Sequence, residues 1–181
     1  MLDIVFGCVL LAVIAALVLL FAMFGELASR MPAERRPERS ADVYPLEDAR
    51  LGVEPGRWPE SLAGVSGATG PSIVLVLSTA CTTCDDVAAQ VSGELDQGGA
   101  GDLAVVVSTG DEERAWTFID RYGLRRLPHH IDDKGQWVGD EFNVRMSPTA
   151  MVFQSGRLHS AMVFQDVNAL RETVSVPKGV L

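Results

Sequence analysis

From Ile4 to Phe24 the chain runs for 21 residues without a charged side chain or a proline. At about 1.5 Å per residue, a helix of that length spans roughly 30 Å, the thickness of a bilayer's hydrocarbon core. A buried core helix would carry polar residues along one face. A cleaved signal peptide would open on Lys or Arg before a shorter apolar run. The chain opens Met1-Leu2-Asp3 instead, so the pattern predicts an uncleaved anchor over 1–26, with residues 4–24 in the lipid bilayer. Residues 27–58 then read as a linker: Ser29 to Pro45 is polar, lacks apolar periodicity and holds Pro32, Pro37 and Pro45. Residues 59–181 are long enough for one globular domain. The glycine-rich stretch from Leu46 to Pro71 has room for one or two short strands.

Within the domain the apolar pattern alternates between two periods. Ser72 to Ser78 is a continuous apolar run, Ser-Ile-Val-Leu-Val-Leu-Ser, as expected of a strand buried on both faces. Asp85 to Leu95 has helical spacing through Val87, Ala88, Val91 and Leu95. Leu103 to Val107 reads as a second buried strand. Asp111 to Tyr122 reads as a helix, with acidic residues at its start and Gly123 as its stop. His130-Ile131 suits a short strand, and Trp137 to Val144 a short helix. Thr149 to Phe153 and Leu158 to Phe164, joined by Gln154-Ser-Gly-Arg157, predict a hairpin. Asp166 to Val174 closes as a helix. Strands alternating with helices, followed by a hairpin, predict an α/β sandwich whose parallel strands come first and whose antiparallel pair comes last.

Charge narrows the function classes. The formal net charge is -9, which argues against nucleic-acid binding, since phosphate contacts need clustered Lys and Arg. Three cysteines are too few for a disulfide-stapled scaffold. Cys8, inside the apolar run, reads as a small buried hydrophobe. Cys81 and Cys84 form a Cys-x-x-Cys pair around Thr82-Thr83, where a buried strand feeds a helix. A helix N-terminus offers unpaired N–H groups and a positive dipole end to a thiolate, which makes Cys81 the attacking thiol. Cys84, one turn on, can resolve a mixed disulfide and leave Cys81–Cys84 oxidised. Asp85 and Asp86 in the first turn oppose that thiolate. A zinc site would need a second ligand pair, and adjacent His129-His130 with a distant His159 lack that spacing. Pro148, in Met146-Ser-Pro-Thr149, marks a strand start or a turn. The three tryptophans, Trp58, Trp116 and Trp137, read as packing residues. No phosphate loop, nucleotide fingerprint or Ser/His/Asp order is present.

Ser78-Thr-Ala-Cys-Thr-Thr-Cys84 at the end of a buried strand resembles the thioredoxin active site. Phe142 to Phe153 resembles the segment in which thioredoxins carry a cis-proline. Ser108 to Asp111, Phe118 to Gly123, Leu127-Pro128, Asp132 to Gly135 and Gly156 to Leu158 are similar to the TlpA/ResA-type subgroup, and the anchor with Phe24 to Leu27 is similar to MauD-like members. The resemblance covers roughly 60–175. It implies a three-layer α/β/α thioredoxin-like fold, a cis Pro148 packed on the dithiol, and Ser147 offering its backbone to a substrate beside Thr82 and Thr83. It implies no cofactor beyond the Cys81–Cys84 disulfide, with exported thiol proteins and a membrane electron donor as partners. The chain also departs from the pattern: Ala80 stands for Trp, Thr82-Thr83 for Gly-Pro, and Leu75 for the buried acid. Proton handling for Cys84 is thereby unassigned, with Glu141, or Asp85 and Asp86, as candidates.

Three functions follow: a thiol–disulfide oxidoreductase, a copper module using the cysteines with His129 or His130, and a non-catalytic scaffold. Arg30, Arg35, Arg36 and Arg39 follow the anchor with no cation before it, which by the positive-inside rule would hold the domain in the cytoplasm. The resemblance implies the opposite side, and a single-pass protein with an extracytoplasmic domain is the expectation.

Overall fold

The apolar runs become the centre of a six-stranded sheet. The computed structural model describes residues 43–68 and 70–175, with Phe6 besides. The described residues from 43 to 175 belong to one compact unit. The expected anchor and bilayer contact, Cys8 and the first part of the linker lie outside the described residues. Among the described residues no helix is long and apolar enough to cross a membrane.

The strands are β1 (Tyr44–Pro45), β2 (Ser72–Ser78), β3 (Leu103–Thr109), β4 (His129–Asp133), β5 (Thr149–Gln154) and β6 (Arg157–Val163), in the order β1-β6-β5-β2-β3-β4. β2, β3 and β4 run parallel, while β5, β6 and β1 are antiparallel to their neighbours. Ile73, Leu75 and Leu77 of β2 point into one core, and Val74 and Val76 into the other. Both faces are therefore dry, which is why the run reads as continuously apolar.

The helices are α1 (Ala63–Ser66), α2 (Thr82–Asp96), α3 (Glu112–Arg121), α4 (Gln136–Phe142) and α5 (Val167–Ser175). α2, α3 and α5 supply Val87, Val91, Ile119 and Leu170 to the first core. α1 and α4 supply Val65, Val138 and Phe142 to the second. Three layers result, as expected.

Residues 43–58, which the sequence reads as linker, belong to this fold. β1 pairs with β6, Leu46 N–H donates to Ala161 O at 2.8 Å, and Leu158 N–H donates to Val53 O at 2.9 Å. Trp58 lies 4.9 Å from Phe153 and 5.8 Å from Trp137, ring to ring. Pairing along an open sheet edge needs backbone rather than apolar periodicity, so a two-residue strand ending in proline leaves no sequence signal. Trp58 and Trp137 thus share one aromatic cluster with Phe142 and Phe153, while Trp116 packs on the opposite face beneath Arg125.

One buried carboxylate anchors α4. Asp132, 2 % exposed, accepts the N–H groups of Trp137 at 2.9 Å and Val138 at 3.1 Å. Asp132→Ala strands both donors, at a cost of about 2–3 kcal/mol. Urea unfolding of the variant should show a lower midpoint with an unchanged slope.

Candidate active site

Cys81 ends the β2–α2 connection as the N-cap of α2, with extended backbone angles of -118° and 113°. Its N–H donates to Ser78 O at 3.2 Å, and its Sγ accepts the Cys84 N–H at 3.2 Å. The sulfur thus takes the place a Ser or Asp oxygen fills at an ordinary N-cap, facing the positive end of the helix. Helix α2 begins at Thr82, earlier than the spacing predicts, because the cap is the sulfur itself. Both cysteines are free; Cys81 is half-buried and Cys84 is fully buried. Thr82 is exposed and Thr83 half-buried beside them.

The Ser147-Pro148 peptide is cis, in the conformation the resemblance implies. Pro148 is buried at the head of β5. The Cys81 thiol faces the Ser147 carbonyl at 3.6 Å. The structure therefore gathers Cys81, Cys84, Ser147 and Pro148 at the C-terminal ends of the parallel strands. A cleft of about 250 Å³ opens beside Ser147 toward Lys134 and Arg145. Met146 stands at its rim, 51 % exposed. An exposed methionine next to an apolar strand carries no signal in sequence, so its outward placement appears only in the fold.

Below the dithiol lies Leu75, fully buried in the same core cluster as Cys84. The substitutes considered for the missing acid do other work. Glu141 accepts the Gly56 N–H at 2.9 Å from α4, on the opposite face of the sheet, and Asp85 accepts the Tyr122 hydroxyl at 2.9 Å. Burial accordingly pushes the Cys84 thiol up to about 12, and the Cys81 side chain adds in the same direction against the Ser78 backbone.

That shift has a sign. An unfolded thiol ionises near 8.5 and folded Cys84 well above it, so the reduced domain keeps this contribution below about pH 8.5 and loses it as pH rises toward 12. The loss is at most about 1.4 kcal/mol per pH unit. Urea midpoints of the reduced protein between pH 8 and 10 should fall more steeply for the wild type than for Cys84→Ala.

The histidines do not join this site. His129 is level with Val105 and thereby with Leu75, and His130 with Val106 and Val76. They therefore sit two strands away, about 10 Å across, and roughly 7–10 Å below the end of β2. Metal–ligand bonds are near 2 Å. They also face opposite sides, His129 against Trp116 at 5.8 Å and His130 against Trp137 at 6.0 Å. Among the described residues no group of three His, Cys, Asp or Glu side chains could hold a metal ion.

No family model matches the chain. No curated protein matches it in sequence. Solved structures do match in shape. A DsbF homologue from Corynebacterium diphtheriae superposes with a TM-score of 0.51 at 13% identity, covering 76% of this chain and 94% of that one. StoA from Bacillus subtilis gives 0.49 at 13%, covering 75% and 98%. A thioredoxin-like protein from Parabacteroides distasonis gives 0.48 at 15%, covering 69% and 97%. The first of these likenesses, with the sheet order and layers above, establishes a thioredoxin-like α/β fold.

Proposed function

We propose that this chain is a thiol–disulfide oxidoreductase working through Cys81 and Cys84. The observation that carries it is the asymmetry of the pair. One sulfur caps a helix, half-buried and facing the Ser147 carbonyl at 3.6 Å, and the other is sealed behind it.

In the reaction, the Cys81 thiolate attacks one sulfur of a substrate disulfide. That S–S bond breaks, one substrate thiolate leaves and takes a proton, and a mixed disulfide forms. Cys84 then gives up its proton and attacks the Cys81 sulfur, releasing the second substrate thiol. Two electrons have passed to the substrate, and a dithiol donor must reduce Cys81–Cys84 again. Among the described residues no buried carboxylate lies beneath Cys84, so water or the departing thiolate takes its proton. Ser147, Thr82 and Thr83 frame the approach to Cys81, with Pro148 closing the floor. The resemblance supports substrates among exported proteins, a membrane-bound donor and an anchor over residues 4–24.

The test is insulin reduction by the reduced chain, followed by turbidity with dithiothreitol as donor. Acceleration over dithiothreitol alone is expected, and none would overturn the reading. Labelling of Cys81 in intact cells by a membrane-impermeant maleimide tests the location: labelling without lysis supports an extracytoplasmic domain, and labelling only after lysis refutes it.

A further inference from the structure

Cys81 and Asp85 are four residues apart, as N-cap and first-turn residue of α2. Positions at that spacing lie on one face of a helix, with Cβ atoms about 5–6 Å apart. The Asp85 N–H also donates to Cys81 O at 3.3 Å, closing the first turn between them. A free carboxylate at that distance would oppose a thiolate on Cys81 by roughly threefold in water, and by on the order of a hundredfold at the effective dielectric near a protein surface.

Asp85 is not free. Tyr122, the residue that ends α3, donates its hydroxyl to Asp85 Oδ1 at 2.9 Å across 37 residues of sequence. Its ring is held by Phe118, centroid to centroid at 5.0 Å, and packs on the same core cluster as Cys81. Burial and the Asp85 contact both raise the Tyr122 hydroxyl, so it keeps its proton for this bond, while Arg121 acts on it in the opposite sense. The hydroxyl is the one polar atom on a ring otherwise placed by packing, and it reaches the one acidic group on the Cys81 face of the first turn.

We infer that Tyr122 is a positioning residue for the dithiol, holding the Asp85 carboxylate against α3 and away from the Cys81 sulfur so that the thiolate persists. This rests on the redox reading of Cys81 and Cys84. The hydrogen bond spreads the carboxylate's charge and ties its rotamer to the Tyr122 hydroxyl, 2.9 Å away. Nucleophilicity of Cys81 then depends on a residue in a different helix. The other charged groups around the site are Asp86 on α2, Arg121 on α3, Asp111 and Arg114 beyond Ala80, and Lys134, Asp140 and Arg145 on the clefts. All of them stay constant in the test below.

Tyr122→Phe removes the hydroxyl and keeps the ring, and Asp85→Asn removes the charge and keeps the shape. Four reduced full-length proteins are compared: wild type, each single variant and the double variant. The first readout is the rate of Cys81 alkylation by iodoacetamide at pH 7, followed by peptide mass mapping. The second is the equilibrium constant of the dithiol with glutathione. Tyr122→Phe should slow alkylation three- to tenfold and shift the glutathione equilibrium by a similar factor. Asp85→Asn should speed it, and adding Tyr122→Phe to Asp85→Asn should change neither readout by more than about twofold.

An equal Tyr122→Phe effect with and without the Asp85 charge would show a merely structural role and overturn the inference, as would no effect at all. Alkylation is measurable whether or not the protein reduces insulin. Coupled variants with no insulin reduction would therefore sink only the redox function, and uncoupled variants with insulin reduction only the role of Tyr122.

Discussion

Cys81→Ser should abolish disulfide reduction, by on the order of a thousandfold or more, because a serine hydroxyl cannot replace a thiolate as nucleophile at neutral pH. Cys84→Ser should behave differently. It leaves the half-buried Cys81 sulfur and the helix N-terminus in place, so the first attack proceeds and the mixed disulfide accumulates. Insulin turbidity under dithiothreitol measures turnover, and intact mass after a single mixing with glutathione disulfide measures the trapped adduct. The expected result is no adduct on Cys81→Ser and one glutathione on Cys84→Ser. An adduct on Cys84 in the Cys81→Ser protein would reverse the roles of the two cysteines. Equal activity of all three proteins would remove the dithiol from the function altogether.

The largest expected loss of stability comes from the other face of the sheet. Phe142 is fully buried at the end of α4, with its ring centroid 5.4 Å from Trp137 and 5.3 Å from Phe153, both edge to face. Phe142→Ala removes that area from the core and leaves a cavity among aromatic rings too rigid to collapse into it. The cost is about 3–5 kcal/mol, a large part of the 5–15 kcal/mol typical of a domain. Scanning calorimetry should show the melting temperature lowered by roughly 10–20 °C. Tyr44→Ala, at an exposed two-residue edge strand, should stay within about 0.5 kcal/mol of wild type. The contrast separates core packing from edge pairing.

The elements most legible in sequence were those with one simple environment. β2 is legible to its ends, Ser72–Ser78, because both its faces are buried and no polar position interrupts it. Helix α3 is legible to within a residue, since Asp111 accepts the N–H groups of Glu113 and Arg114 and Gly123 takes the left-handed conformation that ends the helix. Residues 43–58 look like linker in sequence because edge pairing and a single tryptophan insertion leave no periodic trace. Among the candidates to replace the buried acid, Glu141 lies across the sheet, bonded to Gly56, a placement that no local pattern carries.

The site divides along the same line. Sequence alone determined that Cys81 and Cys84 sit where a buried strand meets a helix, because strand period, helix period and dithiol spacing are all local patterns. It also determined that Leu75 puts no carboxylate at its position in β2. Only the tertiary structure decided that Ser147 O faces the Cys81 sulfur at 3.6 Å across 66 residues, and that Tyr122 reaches Asp85 from another helix. It also decided that the histidines stay away from the thiols. Those relations depend on which strands neighbour one another and on the register between them. Many strand orders satisfy the same apolar pattern, and the choice among them is made by long-range packing.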